Sequence, residues 1–158
     1  MTPAIEFAKK RKIAYTVHEY KHDAATESYG LEAAEKLGVS EARVFKTLVV
    51  RLNDDSFAVG VLAVSAMLSM KLMAKAVGAK KAVMADIAAV ERATGYVLGG
   101  ISPLGQKRQL KTVIDQSAKV FETIYISGGR RGLEIELKPD DLQKTAAGLF
   151  ASITMDTH

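Results

Sequence analysis

The sequence predicts an α/β protein of the α+β kind, with a mixed, partly barrel-like β-sheet surrounded by helices. Segments of strand-like and helix-like periodicity are interleaved irregularly along the chain, whereas a doubly wound fold would alternate them strictly. The chain has 158 residues, 48% of them hydrophobic, enough to bury roughly two thirds of the unfolded surface. No linker, repeat or low-complexity segment divides residues 1–158, so we expect a single domain.

The first half of the chain begins with a helix. Thr2 suits a helix N-cap, Pro3 suits the first turn, and a basic end supports a helix from Ala4 to Lys12. The apolar period then changes to two at Tyr15, which predicts a strand ending near Tyr20. The other elements predicted in this half are a helix from Gly30 to Leu37, strands from Val44 to Leu52 and from Ser56 to Val64, and a helix from Met70 to Val77.

The second half mixes short strands and helices. Asp86 can cap a helix, Gly95 can end it in the left-handed conformation that glycine tolerates, and Pro139 suits the start of another. The predicted elements are a strand from Lys80 to Met84, a helix from Ile87 to Thr94, strands from Lys111 to Asp115, Thr123 to Ser127 and Leu133 to Leu137, a helix from Pro139 to about Ala147, and a strand from Phe150 to Thr154.

Composition narrows the classes of function. The absence of cysteine excludes a disulfide framework, a thiolate zinc site and a cysteine nucleophile. The excess of 22 Lys and Arg over 18 Asp and Glu gives a formal charge of +4, which favours an anionic partner mildly. The N-terminal residues lack the layout of a signal peptide, and the longest apolar run falls short of a membrane span, so we expect a cytoplasmic protein.

Residues 95–105 combine four glycines and a proline with large apolar side chains. A solvent-exposed loop would not carry so many apolar residues, so the stretch predicts buried irregular backbone. Glycine tolerates positive φ and close approach of another group to the main chain. Two interpretations stay open: the glycines solve a packing problem in a strand, bulge and turn, or their N–H groups form the wall of a ligand site.

Lys46 is the second informative residue. On a strand with a period of two it shares a face with Val44, Leu48 and Val50, which is the more apolar of the two faces. Because burial of a lone lysine is costly, its ammonium group either reaches solvent at a sheet edge or meets a polar or anionic ligand in a cleft. In the second case Lys46 would be a fixed positive charge directed at a carbonyl or carboxylate group.

The common catalytic and cofactor motifs are absent. The three histidines do not form a metal-binding pattern with acidic residues, and no phosphate-binding loop or dinucleotide fingerprint occurs. Ser102 follows two glycines and Ile101 and precedes Pro103, so it does not lie in a nucleophile elbow. The remaining candidate site consists of one lysine, hydroxyl groups and glycine backbone, without a metal or cofactor.

Three motifs resemble those of the YbaK family, the free-standing relatives of the editing domain inserted in bacterial prolyl-tRNA synthetase. They are Phe45-Lys46-Thr47, residues 95–105 followed by Lys107 and Arg108, and Ser127-Gly128-Gly129 followed by Arg130-Arg131-Gly132. The resemblance covers the whole chain, implies a mixed, barrel-like sheet with helices around it, and places the essential lysine of the family at Lys46. The substrate-pocket residues that it implies are Tyr20, Phe45, Thr47, Gly99, Gly100, Ile101, Ser102, Pro103, Ser127, Gly128 and Gly129.

This resemblance implies a trans-editing deacylase that removes cysteine from Cys-tRNA(Pro) and also from Cys-tRNA(Cys). The stretch Gly99-Gly100-Ile101-Ser102-Pro103-Leu104-Gly105 is similar to the cysteine-clearing branch, in which the substrate thiol attacks its own ester carbonyl and leaves as a thiolactone. The implied partners are the acceptor end of aminoacylated tRNA and prolyl-tRNA synthetase, in a transient complex. Two alternatives stay open: an alanine-specific deacylase of the same family, and a nucleic-acid or nucleotide-binding module without catalysis.

Binding of tRNA requires contacts to phosphate groups. With a charge of only +4 and few aromatic residues, we expect weak tRNA binding with little selectivity for the tRNA body. The candidate phosphate contacts are Lys71, Lys75, Lys80, Lys81, Lys107, Arg108, Lys111, Arg130 and Arg131.

Overall fold

A computed structural model describes residues 1–26 and 28–155 of the chain and confirms the mixed α/β class. The helices are α1 (Pro3–Lys10), α2 (Tyr29–Leu37), α3 (Met70–Val77), α4 (Ile87–Thr94) and α5 (Pro139–Thr145). The strands are β1 (Tyr15–Glu19), β2 (Phe45–Leu52), β3 (Phe57–Ala63), β4 (Ala82–Met84), β5 (Lys111–Asp115), β6 (Ile124–Ser127), β7 (Leu133–Leu137) and β8 (Leu149–Ala151).

The strands form two sheets. The larger sheet has the order β4-β2-β3-β5-β8, with antiparallel pairs around β2 and parallel pairs around β5. The smaller sheet has the order β1-β7-β6 and is antiparallel throughout. A single parallel bridge between Val44 and Tyr125 connects the start of β2 to β6. The expected partly closed sheet is therefore divided in two, and the described strands do not close into a barrel.

Both faces of β2 are buried. Phe45 and Val49 pack into a cluster that includes residues of α1, β5, β6, β7 and α5. Val50 and Leu52 pack into a second cluster, on the side covered by α3. Because a strand buried on both faces has an almost continuous apolar sequence, the polar side chains of Lys46 and Thr47 are exceptions that require an explanation.

Local capping interactions set most helix ends where the sequence predicts them. The side chains of Ser69 and Asp86 accept hydrogen bonds from Leu72 N and Ala89 N, and so cap α3 and α4. The first helix ends at Lys10, earlier than expected, since Lys12 has a φ of 57° that a helix cannot accommodate. The last strand covers residues 149–151 in place of Phe150 to Thr154. His158 lies outside the described residues.

Within the described ranges, no helix has the length and apolar character needed to cross a membrane.

Candidate active site

A cavity of about 220 Å³ opens where the two sheets meet, between β2, β6, β7, α2, α4 and the glycine-rich stretch. Six consecutive residues, 44–49, line it. Since successive side chains of a strand point to opposite faces, such a run shows that the cavity lies along the edge of β2. Of the site residues predicted from sequence, those in the lining are Tyr20, Phe45, Lys46, Thr47, Gly99, Ile101 and Ser127.

This edge of β2 is open because β4 is short. β4 pairs only with Val50–Leu52, and β6 reaches this side of β2 only through the bridge between Val44 and Tyr125, so residues 46–48 have no strand neighbour there. Val64 N donates to Val44 O, so the even-numbered residues of β2 direct their backbone groups toward β3. The backbone N–H and C=O of Thr47 therefore point away from β3, toward the open edge. Hydrogen-bonding groups at such an edge are available to a ligand.

Thr47 also brings a buried hydroxyl group to this edge. Only 8% of the residue is exposed, and its Oγ1 makes no hydrogen bond within residues 1–26 and 28–155. A buried hydroxyl without a partner costs about 1–3 kcal/mol, so native proteins seldom retain one without a reason. A ligand in the cavity would supply the missing partner.

Lys46 is half-buried beside Thr47. Its Nζ donates to the carbonyl oxygen of Ala66 at 2.6 Å, and burial lowers the pKa of its ammonium group. An ammonium group has three N–H donors, and Ala66 takes up one of them. Lys46 lies at the open part of the sheet edge, and this edge borders a cleft; a ligand contact of its ammonium group stays a prediction.

Glu134 is a site residue that the sequence analysis missed. It lies opposite Ser127 on β6, is only 7% exposed, and lines the cavity. Burial raises the pKa of its carboxyl group to about 8. In β7, Glu134 and Glu136 alternate identically with apolar residues, so the sequence holds no signal that separates them. Glu134 lies in the cavity because the start of β7 pairs with the end of β6 beside it.

Tyr20 contributes a neutral phenol group. Burial, reinforced by the nearby carboxylates of Glu134 and Glu32, raises the pKa of Tyr20 to about 12. Its hydroxyl group therefore stays protonated near neutral pH and can donate a hydrogen bond to a ligand.

The glycine-rich stretch contributes Gly99 to the lining, and Gly100 packs against the turn between β6 and β7. Gly99 borders the cavity, with a φ of 89°. A Cβ on Gly100 would lie 2.6 Å from the Cα of Arg130, so packing explains this glycine. Ser102 is fully buried, and its Oγ accepts from Leu104 N at 3.2 Å. The predicted site residues that do not line the cavity are Gly100, Ser102, Pro103, Gly128 and Gly129.

Among the candidate phosphate contacts, Arg130 and Arg131 lie at the cavity mouth. Lys111 lies elsewhere, and its Nζ donates to Val77 O at 3.1 Å. The cavity thus combines a cation, a buried carboxyl group and hydroxyl groups, and its mouth is positively charged. The fold and the site define a small pocket with charged and hydroxyl groups in its lining and two arginines at its mouth.

The chain belongs to the aminoacyl-tRNA editing domain family, whose model matches residues 24–145. It is 36% identical over 97% of its length to the "Putative Cys-tRNA(Pro)/Cys-tRNA(Cys) deacylase EbsC" of Enterococcus faecalis, of which it covers 93%. It is 31% identical over 89% of its length to the "Uncharacterized protein YwhH" of Bacillus subtilis, of which it covers 85%.

A solved structure supports the assignment of the fold. The chain superposes with a TM-score of 0.84 on a crystal structure described as "a putative trans-editing enzyme for prolyl tRNA synthetase". The match covers 99% of both chains at 19% sequence identity. The mixed α/β arrangement with two sheets is thus the fold of this family.

Proposed function

We propose that this protein is a trans-editing deacylase that removes cysteine from Cys-tRNA(Pro) and Cys-tRNA(Cys). Membership of the editing-domain family and the similarity to EbsC support this activity. The observation that carries it is the cavity along the open edge of β2, where Lys46, Thr47 and Glu134 lie together. A volume of about 220 Å³ accepts an aminoacyl group and leaves the body of the tRNA outside.

Each of these residues suits one part of an aminoacyl ester. Lys46 offers its remaining N–H donors to the ester carbonyl, where negative charge develops during the reaction. Glu134 can pair with the α-ammonium group, because a bound cation favours the ionised carboxylate and offsets its burial. The unpartnered hydroxyl of Thr47 gains a hydrogen bond when the substrate enters. Lys46 and Glu134 would thus hold the ester carbonyl and the α-ammonium group of the aminoacyl group in place.

The lining favours a reaction in which the substrate supplies the nucleophile. No histidine or cysteine lines the described cavity, so its described lining holds neither a cysteine nucleophile nor a hydroxyl group paired with histidine. In cysteinyl-tRNA the sulfur atom of the substrate can attack its own ester carbonyl carbon. A C–S bond then forms and the C–O bond to the ribose breaks. The thiol proton passes to the ribose oxygen, and the products are a thiolactone and tRNA with a free hydroxyl group.

An alanine-specific deacylase of the same family is the second candidate. Alanine has no thiol, so its removal needs a water molecule and a group that takes up a proton. Glu134 is the acidic residue best placed for this, but in the proposed complex its carboxylate is paired with the α-ammonium group of the substrate and is not free to take up a proton from water. The cavity therefore favours the thiol-dependent reaction.

We further propose that the protein works in the cytoplasm in a transient complex with prolyl-tRNA synthetase. The net charge of +4 supports only weak binding of tRNA, and the cavity can read only the aminoacyl end. A partner that already holds the tRNA would provide selectivity for the rest of the molecule.

The test is deacylation of cysteinyl-, alanyl- and seryl-tRNA(Pro) by wild-type protein, Lys46→Ala and Lys111→Ala. Lys111 is a matched control because its ammonium group also donates to a backbone carbonyl, away from the cavity. We expect the wild-type protein to deacylate only cysteinyl-tRNA(Pro). The rate of this reaction should fall about 10²–10³-fold in Lys46→Ala and stay unchanged in Lys111→Ala. Loss of alanine would indicate the second candidate. Full activity of Lys46→Ala would contradict the proposed site.

A further inference from the structure

One side of the cavity mouth is closed by contacts between α2, the glycine-rich stretch and the turn between β6 and β7. In that turn, Nη2 of Arg131 donates to the carbonyl oxygen of Leu98 at 3.1 Å. The central carbon of the same guanidinium group lies 4.2 Å from the ring centroid of Tyr29, at the start of α2. A single side chain therefore joins three elements that are far apart in sequence.

Two glycines allow this close approach. A Cβ on Gly99 would overlap with the Nε of Arg131 and would lie 3.0 Å from Cε2 of Tyr29. A Cβ on Gly100 would clash with the backbone of Arg130. The loop is thus shaped to fit the turn and the guanidinium group, and Arg131 fixes the position of the Gly99 backbone.

We propose that Arg131 is a positioning residue, which holds the Gly99 wall of the cavity in place and does not bind a tRNA phosphate. This inference rests on the proposed deacylase function. Gly99 lines the cavity that holds Lys46, so a shift of its backbone changes the space around the reacting ester. A planar guanidinium group can stack on a ring and donate a hydrogen bond in its plane at the same time, which a lysine cannot do.

Arg130 provides the contrast. It also lines the cavity mouth, but its Nη2 lies 3.6 Å from a carboxylate oxygen of Glu19 in an exposed ion pair. Exposed pairs of this kind contribute little, so the Arg130 side chain can turn toward an anion at small cost. Arg130 is therefore the phosphate-binding candidate of the two, and it serves as the matched control.

The experiment compares the Lys and Ala variants of Arg131 and Arg130 on two substrates. One is Cys-tRNA(Pro), and the other is cysteine esterified to adenosine, which has no phosphate. Values of kcat and KM are measured over a range of salt concentrations. We expect both Arg131 variants to lose about 10- to 100-fold in kcat on both substrates, because a small misplacement near the reacting atoms is costly. Tyr29→Phe keeps the ring on which Arg131 stacks and should retain activity. Tyr29→Ala removes that ring and should lose kcat to the same extent as the Arg131 variants.

Three results would overturn the proposal: full activity of Arg131→Lys, loss confined to the tRNA substrate, or a salt dependence in Arg131→Ala reduced by about one phosphate contact. A wild-type protein that releases no cysteine would instead contradict the deacylase function. In that case hydrogen exchange at the Gly100 amide, which donates to Val97 O, tests the contact directly. Faster exchange in Arg131→Lys, with unchanged global unfolding, supports positioning, and unchanged exchange opposes it.

Discussion

At the scale of single residues, Thr47 shows a conflict between stability and function. Its buried hydroxyl has no partner in the described structure, so it reduces stability, yet it faces the cavity that the substrate would fill. Proteins retain such unfavourable features mainly at functional sites. The opposite effects of removing this hydroxyl on stability and on activity can therefore identify it as a substrate contact.

We expect Thr47→Val to increase the free energy of unfolding by about 1 kcal/mol and to slow deacylation about tenfold, because it keeps the shape and removes the orphan hydroxyl. Urea unfolding and single-turnover deacylation measure the two effects. Thr112→Val is the control: Thr112 is also buried, but its Oγ1 donates to Leu110 O at 2.9 Å, so this variant should lose stability. A destabilised Thr47→Val would show that its hydroxyl has a partner.

Glu134 predicts a pH dependence of stability. Its pKa rises from 4.5 in the unfolded chain to about 8 in the folded protein, so the folded state holds the proton more tightly. Its stabilising contribution is complete below about pH 4.5 and is lost as the pH rises toward 8. We expect stability to fall by about 1–4 kcal/mol over this range in wild type but not in Glu134→Gln, measured by urea unfolding.

Glu136→Gln is the control for this experiment, since Glu136 lies on the same face of the same strand. The hydrogen bond from Thr123, together with His18, lowers the pKa of its carboxyl group despite partial burial. Its contribution is therefore lost as the pH falls, the opposite direction to Glu134. If Glu134→Gln and wild type show the same pH profile, Glu134 is not the buried acid described above.

At the scale of elements, the sequence predicts the ends of a helix or strand correctly where local interactions such as caps determine them. It fails where pairing with another element determines the end. The caps at Ser69 and Asp86 are local, and the predicted bounds of α3 and α4 are confirmed. The strand β4, in contrast, was expected from Lys80 and begins at Ala82. Because β4 is short and pairs only with the last three residues of β2, the edge beside Thr47 stays open. The sequence alone therefore singles out Lys46, as a lysine on an apolar strand face, but it does not predict the open edge beside it.

The segment before α2 is held by one buried carboxylate. Glu32 accepts hydrogen bonds from Asp23 N at 2.8 Å and Thr26 Oγ1 at 3.0 Å, and its other oxygen lies 2.6 Å from Nδ1 of His22. Burial alone would raise the pKa of Glu32, but these hydrogen bonds outweigh it and the pKa is lowered. Its stabilising contribution is therefore present above the unfolded pKa and lost as the pH falls.

We expect Glu32→Gln to cost about 1–3 kcal/mol at pH 7, since an amide cannot accept all of these bonds. The difference from wild type should shrink near pH 3, where the carboxylate of the unfolded chain is protonated. Urea unfolding at the two pH values measures this change. Glu35→Gln, on the exposed face of the same helix, should have little effect at either pH. A cost that does not depend on pH would show that charge is unimportant at this position.

At the scale of the whole molecule, the site exists because two sheets meet. β2 of the larger sheet brings Lys46 and Thr47, and β6 and β7 of the smaller sheet bring Ser127 and Glu134. The sequence predicts these strands but not their division into two sheets, since that depends on pairings between segments far apart in the chain. For the same reason the acidic side of the site could not be foreseen, whereas the lysine could.

The final prediction concerns recognition of the tRNA. The cavity has a volume of about 220 Å³, room for an amino-acid-sized group only, and from the charge of +4 we expect weak binding of the tRNA body. We therefore expect the isolated protein to deacylate Cys-tRNA(Pro) and Cys-tRNA(Cys) with kcat/KM values within about tenfold of each other, because both present the same aminoacyl end. Addition of prolyl-tRNA synthetase should raise the rate for Cys-tRNA(Pro) alone, and a catalytically inactive synthetase that still binds tRNA should do the same. Sharp discrimination by the isolated protein would mean that residues outside the cavity read the tRNA body, with Lys107 and Arg108 the first to substitute.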